Sequence, residues 1–139
     1  LDLLPAIIFL VAAFIGFAMG TSWGTIALIL PIIIGVFDAA DPLFLVAVGS
    51  ALAGAVYGDH ISPISDTTIL SSAGAKCNHL RHVATQIPYA TLVMIVCFVG
   101  YVIAGFTKSP WISLALGVVL IVIAVLVLTR MEASKKAKA

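Results

Sequence analysis

Apolar residues gather into four long blocks, 5–37, 43–75, 84–106 and 111–129, separated by short polar connections at 38–42, 76–83 and 107–110. Blocks three and four are uninterrupted. Each holds about 19–23 apolar residues, enough to carry an α-helix across a hydrocarbon core of roughly 30 Å at 1.5 Å per residue. Block four is rich in Val, Ile and Leu, carries no charge and reads as a lipid-facing scaffold. Block three contains Gly100 and Gly105, a weak small-residue signal for close helix contact.

The first two blocks are too long for one upright crossing: each runs for about 33 residues, or about 50 Å if fully helical. Each is also interrupted by polar residues. Block one breaks at 20–25 (Gly20, Thr21, Ser22, Trp23, Gly24, Thr25), and block two at 58–68, where Asp59, His60, Ser62, Pro63, Ser65, Asp66, Thr67 and Thr68 fall together. Removing the second break leaves about 15 plus 8 helical residues, some 35 Å, which suits one crossing by a discontinuous helix. Removing the first leaves limbs of about 22 and 18 Å, which fit a re-entrant hairpin with 20–25 at its tip, near mid-membrane, better than a broken spanning helix. The fold class expected is therefore all-α and polytopic: a hairpin or broken helix, a discontinuous helix and two spanning helices.

Composition agrees. The chain is 63% hydrophobic and 9% charged, with a mean hydropathy of +1.25, whereas soluble domains carry about 25% charged residues. The net charge of +1 says little, but its placement says more. Residues 130–139 form a basic tail with Arg130, Lys135, Lys136 and Lys138, expected on the cytoplasmic side of a plasma or inner membrane, behind a transmembrane unit at 1–129. Counting back puts 107–110 outside, 76–83 inside and the acidic 38–42 turn outside. Leu1 is not an initiator Met and nothing basic precedes the first block, so a signal peptide is not expected and the chain reads as the C-terminal part of a longer membrane protein. Cys77 and Cys97 are too few for a disulfide framework. No internal repeat or low-complexity stretch is present.

The chemistry lies in the two breaks. An ionised side chain near the bilayer centre costs roughly 2.5–3.5 kcal/mol or more, so polar residues there point to an ion or substrate site. Broken helices free backbone carbonyls for a cation and aim helix termini at charge, and irregular backbone survives at that depth only inside protein or beside a cavity. The hydroxyls of Thr21, Ser22, Thr25, Ser62, Ser65, Thr67 and Thr68 and the carboxylates of Asp59 and Asp66 are hard ligands, suited to sodium. A carboxylate in such a place holds either a proton or a cation, and that competition suffices for antiport. Asp59 is the leading coupling carboxylate and the candidate sodium site, with Asp66 second.

Each assignment has a structural rival. Asp59 and, more strongly, Asp66 could cap the half-helix that follows. His60 could be a hydrogen-bonded partner of either carboxylate rather than a proton carrier. The hydroxyls could bond back to their own backbone, and Trp23 suits a packing wedge beside the tip. The run Cys77-Asn78-His79-Leu80-Arg81-His82 lacks the ligand set of a zinc site and reads as a polar loop facing lipid headgroups. Thr85, Gln86 and Pro88 open block three, and Gln86 could face the bundle interior. Asp38 and Asp41 read as a solvated turn ending at Pro42.

The strings GTSWGT and, about 35 residues on, GDHISPISDTTILSSAGAKCNHLRHVATQIPYA resemble the NhaC-type sodium/proton antiporter family over roughly residues 16–104. The resemblance implies secondary transport, a missing N-terminal half of the same transporter, paired inverted repeats, and sodium and protons as transported species. The family also includes sodium-linked exchangers of small organic anions such as malate and lactate, which is the alternative substrate reading. Thr21, Ser22 and Trp23, with Asp59, His60, Ser62, Ser65, Asp66, Thr67 and Thr68, match its motifs. No catalytic cofactor, enzyme activity or nucleic acid is implied; the lipid bilayer is the expected partner, and a homodimer stays open. A cation channel could use similar oxygen-lined breaks. A hydrolase fits poorly without a Gly-x-Ser-x-Gly or His-Glu-x-x-His motif, and a purely structural subunit does not explain the polar load.

Overall fold

The computed structural model describes residues 2–137. The chain forms six helices, α1 (Leu4–Met19), α2 (Ser22–Val36), α3 (Pro42–Ile61), α4 (Asp66–Gly74), α5 (His79–Thr107) and α6 (Pro110–Ala137), and no strand among the described residues. Helices α3, α5 and the 111–130 stretch of α6 are long and apolar enough to cross a membrane. The chain is a polytopic, all-helical membrane fragment.

Helices α1 and α3 run side by side in the same direction at backbone contact. A Cβ on Gly54 would strike Phe9 O, one on Gly58 would strike Ala13 O, and one on Gly16 would come within 2.7 Å of Ala55 O. Small residues let two helix backbones approach this closely in lipid, where packing rather than the hydrophobic effect drives association. Helix α2 begins beside the end of α1 and ends at the turn that opens α3. It therefore returns along α3, bringing Ile29, Ile33 and Phe37 into one buried cluster with Ala12, Leu43, Ala47 and Ala51. The limbs of this α1–α2 hairpin, 16 and 15 residues or about 24 and 22 Å, are each too short to cross a 30 Å core. The hairpin expectation holds over the broken spanning helix.

The breaks are shorter than the sequence suggested. The first is only Gly20 and Thr21: Gly20 takes a left-handed conformation (φ 64°, ψ 30°) that ends α1, and extended Thr21 caps α2, so Ser22, Trp23, Gly24 and Thr25 are already helical. The second is only 62–65. Gly58, Asp59 and His60 stay in α3, because the stop is set by Pro63, whose ring disfavours helical backbone at the preceding Ser62 (φ −75°, ψ 127°). Thus α3 alone, about 30 Å, has the length to cross, and the break at 62–65 follows its last turn. The hairpin tip meets the second break: Gly20 packs on Ile64, just past the end of α3.

Helix α5 runs antiparallel to α3, held by Tyr101 Oη to Gly49 O (2.9 Å), Tyr57 Oη with Thr91 Oγ1 (3.3 Å) and Gln86 Nε2 to His60 O (3.1 Å). It begins at His79, earlier than expected, capped by Asn78, so His79, Arg81 and His82 are helical rather than loop residues. Gly100 and Gly105 do make close contacts, with Ser113 of α6 and the backbone of Asp2 respectively. The α6 backbone continues through the expected tail to Ala137; Lys138 and Ala139 lie outside the described residues. Asp38 and Asp41 act locally, accepting from Ala40 N and Leu43 N, the latter capping α3.

Gly54→Ala and Gly58→Ala should each destabilise the full-length protein by about 1–3 kcal/mol through overpacking. The check is melting temperature in detergent; unchanged melting in both variants is incompatible with the α1–α3 contact described.

Candidate ion-binding site at two helix breaks

The α1–α3 contact brings two helix C-termini together. Ser62 Oγ, fully buried at the end of α3, donates to Phe17 O near the end of α1 (2.8 Å) and accepts weakly from Ile64 N (3.4 Å). Both ends carry the negative pole of a helix dipole, which favours a cation and disfavours a bare anion. Asp59 sits there, in the last turn of α3 and beside Gly16 of α1. It is 5% exposed, and its Oδ1 is buried with no hydrogen-bond partner among the described residues. Asp59 therefore caps nothing: it lies at the wrong end of a helix for that role.

The other predicted residues divide clearly. Thr25 is fully buried and donates to Thr21 O (2.8 Å), while Thr21 Oγ1 accepts from Gly24 N (3.4 Å) as the cap of α2. Ser65 is fully buried and caps α4, accepting from Thr68 N (3.3 Å) and pairing with Thr67 Oγ1 (2.9 Å). These hydroxyls satisfy helix ends, yet Thr25 and Ser62, as donors to carbonyls, retain oxygen lone pairs for a cation. Thr68 is buried, Ser22 half-buried and Thr67 exposed. Asp66 is exposed at the first position of α4, with Oδ1 accepting from Thr67 N (2.7 Å); Ser65, not Asp66, is the cap. A carboxylate is stable at that positive pole. His60 is exposed and touches neither carboxylate through a hydrogen bond; only its backbone oxygen is engaged, by Gln86. Trp23 is 81% exposed at the tip, so it is no wedge within this chain.

Two residues outside the predicted set hold the second break in place. His79 Nε2 donates to Pro63 O (2.7 Å) and its Nδ1 pairs with Ser72 Oγ of α4 (3.1 Å), so one imidazole ties the break and α4 to α5. Gln86 fastens the last turn of α3. The sequence signal for both was their place in the same polar stretch as the break, but only the antiparallel α3–α5 register shows what they meet. Among the described residues no three His, Cys, Asp or Glu side chains gather as a metal site. An open groove of about 750 Å³ lies beside the break, between α4, α5 and His60.

A family model described as the Na+/H+ antiporter family matches residues 2–106. A protein of uncharacterised function from Haemophilus influenzae is 51% identical over 110 residues, 78% of this chain and 21% of its own length. The malate-2H(+)/Na(+)-lactate antiporter of Bacillus subtilis is 34% identical over 98 residues, 70% of this chain and 21% of its own. The arginine/ornithine antiporter of Halobacterium salinarum is 29% identical over 107 residues, 74% and 22%. The chain thus spans about a fifth of the length of these relatives. No solved structure matches it.

Replacing His79 by Ala should release the second break from α5. Amide hydrogen exchange in peptides covering 62–69 of the full-length protein should rise by about tenfold, as expected when a hydrogen bond worth about 1–1.5 kcal/mol is lost. Unchanged exchange would show that the imidazole holds nothing.

Proposed function

The chain belongs to the Na+/H+ antiporter family, and on that premise we propose that its parent protein exchanges sodium for protons at Asp59. The observation that carries this reading is the buried, unpartnered Asp59 Oδ1 between two helix C-termini. A bare carboxylate there has one buried oxygen without a donor among the described residues and faces two negative dipole ends. Either a proton or a sodium ion removes that penalty, and the carboxylate holds one at a time.

Sodium is the hard cation that carboxylate and hydroxyl oxygens suit, and the lone pairs of Thr25 and Ser62, one at each break, are candidate co-ligands. Ser65, Thr21 and Asp66 serve mainly to end and start helices around that point. The relatives that carry a functional name are antiporters, which supports transport over enzymatic chemistry. Their differing named substrates leave the exchanged partner to the missing part of the parent as much as to this chain. We place the parent in the plasma or inner membrane with residue 130 on the cytoplasmic face, because the basic residues cluster there.

In vesicles containing the full-length parent, Asp59→Asn should abolish sodium-driven proton movement while leaving the protein folded, and Asp59→Glu should retain a measurable fraction. Exchange that survives the Asn change removes Asp59 from the reaction. Competition at one carboxylate also fixes a sign: sodium binding weakens as pH falls. By linkage, each tenfold rise in sodium should move the acid limb of the activity profile down by about one pH unit. A limb that ignores sodium concentration contradicts a shared site.

A further inference from the structure

Both ring nitrogens of His79 are engaged, and the hydrogens available to them do not match the contacts unless the ring carries two. Nε2 lies 2.7 Å from Pro63 O in the second break, and Nδ1 lies 3.1 Å from Ser72 Oγ in the last turn of α4. A carbonyl only accepts, so Nε2 carries a hydrogen. Ser72 Oγ has a single hydrogen and is also 2.9 Å from Ile69 O, a second acceptor. With a neutral ring, Nδ1 is a bare lone pair. If Ser72 then donates to Ile69 O, Nδ1 and Ser72 Oγ face each other as two acceptors; if it donates to Nδ1, Ile69 O loses it. With a proton on Nδ1, the ring donates to Pro63 O and to Ser72 Oγ while Ser72 donates to Ile69 O. Every contact is then made at once, and two of the bonds come from a cation, the stronger kind.

Pro63 is the residue after Ser62, whose Oγ joins the end of α3 to Phe17 O of α1 (2.8 Å). The break is thus fixed to α1 at Ser62, against Gly20 at Ile64 and to α5 at Pro63. We propose that His79 is a positioning residue for the cation site, fixing Ser62 from α5 through Pro63 O, and that a proton on its ring tightens this hold. The effect on sodium rests on the reading of Ser62 as a co-ligand beside Asp59. Imidazole is the side chain that ordinarily changes charge between roughly pH 5 and 8. The charged and titratable groups around it are Asp59 and His60 in the last turn of α3, Asp66 at the start of α4, Lys76 and Cys77 in the connecting turn, and Arg81 and His82 on α5 itself. None of these is a hydrogen-bond partner of the ring among the described residues. A proton on His79 therefore tightens the break without competing with sodium for Asp59.

The test reads two quantities on the full-length parent in lipid: amide exchange in peptides covering 62–69, corrected for the intrinsic pH dependence of exchange, and the sodium concentration that half-saturates transport. Protection of 62–69 should be about threefold to fivefold greater at the acid end of the imidazole range than at its alkaline end, the gain from one charge-assisted bond. His79→Gln keeps an N–H for Pro63 O but does not titrate, so its protection should be equal at both ends. Ser72→Ala removes the acceptor for Nδ1–H with little risk to folding and should flatten the profile in the same way. His79→Ala should raise the half-saturating sodium concentration by about threefold to tenfold, His79→Gln should restore it to within about twofold, and Ser72→Ala should raise it slightly at the acid end. Wild-type protection that ignores pH, or a pH dependence that persists in both His79→Gln and Ser72→Ala, overturns the proton-tightened hold. Half-saturation indifferent to both His79→Ala and Ser72→Ala overturns the positioning role; should the first not fold, the second decides. Asp59→Asn separates this inference from the sodium site, because the pH dependence of 62–69 should survive it. Transport that persists in Asp59→Asn removes the Asp59 reading and leaves the hold of His79 on the break standing. Transport that needs Asp59, with a flat 62–69 profile in the wild type, removes the His79 inference alone.

Discussion

Where the backbones of α1 and α3 touch, there is no room for side chains, and that absence of room governs the arrangement of the rest. Gly16, Gly54 and Gly58 allow two parallel helices to end at the same level. Parallel helices that end together bring like dipole poles together, an arrangement with an electrostatic cost that a positive charge between them relieves. The meeting of the two helix ends is therefore a product of packing. Ser62 reaching across to Phe17 O is the hydrogen bond that such proximity makes available.

The hydroxyls around the breaks show how a membrane protein reconciles irregular backbone with a site. Every interruption in a helix leaves amide and carbonyl groups that lipid cannot solvate. Thr21, Thr25, Ser62 and Ser65 take up several of these, and His79 and Gln86 reach from α5 for two more carbonyls. With those groups satisfied, Asp59 Oδ1 stands out as the buried side-chain oxygen left without a donor among the described residues. Buried polar atoms in folded proteins nearly always have a partner, so this oxygen is an exception among the contacts described.

Much of this was legible in the sequence. Block lengths gave the two uninterrupted helices, and the sum of two short limbs gave the hairpin, because 1.5 Å per residue leaves few alternatives. Polar load located both breaks. Their extent was not legible, because residue polarity marks where a helix carries chemistry, not where its hydrogen-bond ladder stops. Asp59 and His60 stay helical until Pro63 intervenes, and Ser22 to Thr25 are helical as soon as Gly20 and Thr21 have reversed the chain. Long-range partners were hidden for a different reason. His79 read as a headgroup-facing residue until the antiparallel register of α3 and α5 set it against Pro63. Trp23, taken for a wedge, projects from the tip, where within this chain nothing packs over it.

The reversal at Gly20 and Thr21 also decides a matter of parity. Because α1 and α2 form a hairpin, the helices among the described residues with the length to carry the polypeptide through a bilayer are α3, α5 and the 111–130 stretch of α6, an odd number. On that count Asp2 and Arg130 would lie on opposite faces. A second unit built the same way and joined in tandem would enter the membrane upside down without altering a single internal contact. The two Asp59 positions would then be presented to opposite sides by connectivity alone.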